Sequence, residues 1–65
     1  MGVELGEGHV LWATENAIKV LVEGEEIWIP KTVLSDEGDI DENAEKDDEG
    51  IVAVRTWWAE QEGWA

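Results

Sequence analysis

Sixty-five residues carry 17 acidic side chains against 4 basic ones, a net charge of −13, with one His, one Pro, five Trp and no Cys, Tyr or Phe. A chain of this length makes one small domain over residues 1–65 and leaves little room for an enzyme-sized pocket inside one copy. The lack of Cys excludes disulfides and thiolate metal sites, a lone His excludes the usual zinc site, and scarce Lys and Arg disfavour an extended duplex nucleic-acid contact.

The first ten residues, MGVELGEGHV, hold no basic n-region and no long apolar run. They predict neither a signal peptide nor a membrane span, and hence a cytoplasmic setting. Residues 9–14 (HVLWAT), 17–23 (AIKVLVE), 26–30 (EIWIP) and 51–56 (IVAVRT) are short runs rich in apolar and β-branched residues, bounded by Gly, Asn or acidic turns. That pattern predicts an all-β or β-rich α+β domain, built as a small bent antiparallel sheet or partly open barrel. Pro30 ends the third strand or marks an edge, because proline cannot donate to a ladder. Lys31–Leu34 then forms a helical turn or a fourth short strand. Residues 36–49 are an acidic loop, DEGDIDENAEKDDE, read as solvated because only Ile40 and Ala44 are apolar. Thr56 is placed to cap a short C-terminal helix from Trp57 to Glu62, with Gly63 as its stop.

Register follows from the turns. A turn at Glu15–Asn16 pairs Ala13 with Ile18 and Trp12 with Lys19, and a turn at Gly24–Glu25 pairs Val22 with Ile27 and Leu21 with Trp28. Alternation then gathers Leu11, Ala13, Ile18, Val20, Val22, Ile27 and Ile29 on a core face. The opposite face gathers Val10, Trp12, Lys19, Leu21, Glu23 and Trp28, a cation between two indoles. Together with Trp57, Trp58 and Trp64, these indoles need a destination. They are buried by the C-terminal helix as a second small core, covered in a homo-oligomer, or left as a platform for a planar ligand.

The loop admits two functional readings beyond solvation. Asp39, Asp41, Asn43, Glu45 and Asp47 alternate as calcium ligands do, but Ala44 replaces the turn Gly and Gly50 stands where a bidentate Glu belongs. The other reading is nucleic-acid mimicry, with carboxylates standing in for phosphates against a partner's basic groove. Of the scarce cations, Lys46 is a counter-charge within the loop, whereas Lys19, Lys31 and Arg55 flank tryptophans. Those three form ordinary surface pairs or one composite anion site. Catalysis has no support: His9 sits in a Gly-rich stretch, Ser35 has no His nearby in sequence, and no phosphate loop or nucleophile elbow is present.

Two segments, AIKVLVEGEEIWIPKTVLSD and GIVAVRTWWAEQEGW, separated by the acidic loop, resemble a group of small proteins encoded by bacteriophages and prophages. Trp28–Lys31 and Trp57–Glu60 are the most specific parts of a likeness that runs from Asn16 to Ala65, with Thr32 where the group commonly has Ser. The resemblance implies a setting inside a host bacterial cell and a role against or alongside host machinery. It also moves weight onto Trp28, Lys31, Trp57 and Trp58. The expectation is a non-enzymatic, homo-oligomeric binding protein without a cofactor or metal. It antagonises host defence by sequestering a nucleotide-like planar anion on Trp28, Lys31, Trp57 and Trp58, with Lys19, Arg55 and Trp12 contributing. The alternative is an acidic nucleic-acid mimic that inhibits a host DNA- or RNA-binding effector.

Overall fold

A computed structural model describes residues 2–64. Strands β1 (Gly2–Ala13), β2 (Ala17–Val22), β3 (Glu25–Pro30) and β4 (Glu49–Arg55) form one antiparallel sheet in the order β3-β2-β1-β4. A 3₁₀ turn over Lys31–Val33 follows β3, and helix α1 (Thr56–Glu62) follows β4. The sheet is a β-rich open one, with edges at β3 and β4, and does not close into a barrel. No helix is long and apolar enough to cross a membrane among the described residues.

The first hairpin keeps the register expected of it, with Trp12 opposite Lys19 and Ala13 opposite Ile18. Beyond Trp12 the ladder skips Leu11 and resumes at Val10 opposite Val20. This bulge places one extra residue on β1 and exchanges its faces, so Val10 is fully buried and Leu11 half-buried. Simple alternation had placed them the other way round.

The second hairpin turns one residue earlier than expected. Glu23 and Gly24 both have positive φ, 51° and 82°, the geometry of a two-residue turn whose twist matches the strands it joins. Val22 therefore pairs with Glu25, and Lys19 with Trp28. The shift from the expected pairing is two residues, which preserves every face. Ile18, Val20, Val22 and Ile29 are fully buried, as their alternation requires.

Residues Gly2–Gly8 extend β1 and pair with β4, a segment whose glycines conceal it as a strand. At Gly8 the glycine answers a packing demand. A Cβ there would lie 2.7 Å from one Val52 methyl and 3.0 Å from a Val22 methyl.

The core lies on one face of the sheet, built on Leu5, Val10, Ile18, Val20, Val22 and Ile29 with Val52 and Val54. Its lid comes from outside the sheet: Val33 and Leu34 after β3, Ile40 and Ala44 from the acidic loop, and Trp58 and Ala59 from α1. The acidic loop is thus more than a solvated connection. Its carboxylates point to water, but Ile40 is only 2% and Ala44 only 7% exposed. It also covers the β4 edge, where the Asp39 and Ile40 N–H groups both donate to the Ile51 carbonyl, next to the bond from the preceding Ser35 N–H to the Ala53 carbonyl. Covering an edge removes a template for pairing with other chains. Arg55, rather than Thr56, holds the N-cap position of α1, and Gly63 ends the helix in the left-handed conformation.

Candidate binding surface

The face of the sheet opposite the core is organised in cross-strand rows. In one row Trp12, Lys19 and Trp28 stand side by side on β1, β2 and β3. Residues two apart share a face, so the neighbouring row is His9, Leu21 and Glu26. Trp12 is 53% exposed, Trp28 50% and Leu21 38%, an uncovered apolar patch on a chain this small.

Each of these two indoles already has a cation beside it. Lys19 Nζ lies 6.0 Å from the Trp28 ring centre and 2.8 Å from a Glu26 carboxylate oxygen. Lys46 Nζ lies 5.6 Å from the Trp12 ring centre, reaching the sheet from the acidic loop. With Glu45 and Ala13 these two residues line a shallow hollow of about 350 Å³.

His9 ties the same loop to the sheet from the other side. Its Nδ1 is 2.9 Å from a Glu49 oxygen and its Nε2 3.1 Å from an Asp47 oxygen. Only the imidazolium donates from both nitrogens, and the hydrogen bond to Glu49, then that to Asp47, holds its pKa above the usual 6.5. The backbone is bonded there too, with the Asp47 N–H on the Val10 carbonyl and the Val10 N–H on the Asp48 carbonyl.

Lys31 and Arg55 sit elsewhere. They line a groove of about 480 Å³ whose other wall carries Asp36, Asp41 and Glu42. Arg55 Nε donates to the Thr32 carbonyl, 3.1 Å away. Neither Lys19 nor any Trp lines that groove. On α1, Trp57 is 57% exposed, whereas Trp58 is only 8% exposed and belongs to the core. Trp64 packs partly against the same core.

The expected site residues therefore fall into separate groups. Trp12, Lys19 and Trp28 come together, Lys31 and Arg55 come together at the acidic groove, Trp57 stands exposed on the helix, and Trp58 is packed inside. The links of His9 to Asp47 and Glu49, and of Lys46 to Trp12, went unread in the sequence. They depend on how the loop returns along β1, which no local pattern encodes.

Three of the loop carboxylates at the alternating calcium-like positions are engaged within the chain: Asp39 accepts from the Ile51 N–H, Asp41 from the Asn43 N–H, and Asp47 meets the His9 ring. The neighbouring Asp48 accepts from the Glu45 N–H. Among the described residues no group of three or more His, Asp or Glu is arranged to hold a metal ion. Compared with protein-family models, curated proteins and solved structures, the chain matches none.

Proposed function

We propose that this chain is a non-enzymatic binding protein that inhibits a host nucleic-acid-binding effector, its carboxylates occupying the basic groove that otherwise takes phosphates. The observation that carries this reading is the anchoring of the acidic segment. Ile40 and Ala44 plug into the core and the backbone is bonded to β1 and β4, while the carboxylates from Asp36 to Glu49 remain exposed. A segment held in this way presents its charges at fixed positions. An unstructured run of the same composition would lose its conformational entropy at the moment of binding. The net charge of −13 adds long-range attraction toward a basic partner, an effect that salt screens. The likeness to phage-encoded proteins supports a host defence protein as the class of target and the host cytoplasm as the setting.

The row Trp12–Lys19–Trp28 favours a second reading, sequestration of a nucleotide-like planar anion. Stacking on indoles contributes about 1–3 kcal/mol per base, and Lys19 stands between two of them. This reading carries a homo-oligomer with it, since the row lies on an open face that a second copy would have to enclose. It is the weaker of the two, because Glu26 already engages Lys19 and the acidic chain repels phosphate.

A displacement experiment tests the first reading. Basic nucleic-acid-binding proteins are loaded with fluorescent duplex and titrated with the chain at rising salt, beside the variant Asp36→Asn/Glu42→Gln/Glu45→Gln. That variant spares the carboxylates that hold loop backbone or His9. Displacement that fades with salt and weakens in the variant is the expected result. Equal displacement by the variant, or none across the panel, would overturn the reading.

A further inference from the structure

We infer that the outer sheet face around Trp12 and Trp28 docks an arginine-bearing basic segment of a partner protein, with guanidinium planes stacked on the two indoles. The inference rests on the reading of the chain as an inhibitor of a basic effector, and it names the partner chemistry that reading leaves open.

Three features converge on this occupant. The first is the uncovered apolar row itself, two half-exposed indoles beside the exposed Leu21. The second is the charge around it. Glu26 lies in the adjoining row, Glu45 lines the hollow at Trp12, and Asp47 and Glu49 meet at His9 in the same adjoining row. Against these four carboxylates the face carries three cations: the His9 imidazolium between Asp47 and Glu49, and Lys19 and Lys46, which already lie over the indoles that an incoming group would cover. The positions above the rings therefore accept a cation, and an arginine can take them by displacing flexible lysine side chains.

The third feature is the continuity of this face with the anchored acidic loop. Lys46 and Asp47 belong to the loop and touch the sheet at Trp12 and His9. A basic segment could therefore run from the loop onto the indoles without crossing an uncharged gap. Arginine suits such a surface better than lysine. Its guanidinium is flat and weakly hydrated, so it stacks on an aromatic face while its edge bonds to carboxylates. A second copy of this chain suits it poorly, because each copy brings a net charge of −13 and the same carboxylate-rimmed face.

The test titrates the full chain with an oligoarginine and an oligolysine peptide of equal length, following the indole N–H resonances by NMR. Oligoarginine should bind about tenfold tighter, shifting the Trp12 and Trp28 resonances while that of buried Trp58 stays in place. The variant Trp12→Ala/Trp28→Ala removes half-exposed rings only and should lose that preference while keeping salt-dependent binding. If the two peptides bind equally and the Trp12 and Trp28 resonances stay still, the inference fails while the mimic reading stands. If neither peptide binds at low salt, both fail together.

Discussion

Lys19 faces Trp28 directly across the β2–β3 ladder, its Nζ 6.0 Å from the ring centre and 2.8 Å from Glu26. Both partners remain partly in water, where cation–π contacts contribute about 0.5–1 kcal/mol and exposed ion pairs about 0–1 kcal/mol. Lys19→Gln removes both and should therefore lower unfolding stability by no more than about 2 kcal/mol. Urea unfolding followed by circular dichroism measures this. A much larger loss would mean that Lys19 helps to hold the sheet together.

Adjacent tryptophans on α1 should behave in opposite ways. Trp58 is 8% exposed within the core, so Trp58→Ala should cost about 3–5 kcal/mol, enough to unfold much of so small a domain. Trp57 is 57% exposed, and Trp57→Ala should stay within about 0.5 kcal/mol of the parent. Thermal melts of the two variants decide it, and comparable losses would contradict the placement of α1.

Gly8 offers a case in which strand propensity and packing disagree in sign. Alanine ordinarily improves a strand position held by glycine, yet here its Cβ would lie 2.7 Å from a Val52 methyl and 3.0 Å from a Val22 methyl. Gly8→Ala should destabilise by about 1–3 kcal/mol. A raised melting temperature would show that β1 and β4 are spaced differently.

The His9 clip sets a pH dependence. Because Glu49 and Asp47 raise the folded-state pKa above 6.5, the folded chain retains a proton that the unfolded chain has lost. The contribution of His9 is fully present below the unfolded value and is lost as pH rises through the folded value. The stability difference between the parent and His9→Gln should shrink as pH rises from about 6. An NMR titration of the His9 ring gives the independent check. Its midpoint should lie above 6.5 in the parent and fall in Glu49→Gln.

Much of the sheet was legible because its apolar residues alternate. Ile18, Val20, Val22 and Ile29 reach the core whether the second turn lies at Glu23–Gly24 or one residue later, since a two-residue shift leaves faces unchanged. The pairing of Lys19 with Trp12 survives for the same local reason. Val10 was misread because the Leu11 bulge resets alternation with no mark in the sequence. Gly2–Gly8 was missed because glycine carries no propensity for a strand, although close packing at Gly8 requires it. The loop was legible as acidic, but two small plugs, Ile40 and Ala44, determine that it is held in place. The cations were legible as a set, and only the fold sends Lys31 and Arg55 to a different groove from Lys19.

The most direct measurement compares oligoarginine binding by the parent and by Lys19→Gln at low salt. Removing this lysine deletes a positive charge from the face and releases Glu26, so affinity should rise about two- to fivefold. A surface built to hold an anion through Lys19 predicts the opposite. If Lys19→Gln binds oligoarginine no better than the parent and the parent instead binds nucleotides through that lysine, the account of a basic partner is wrong.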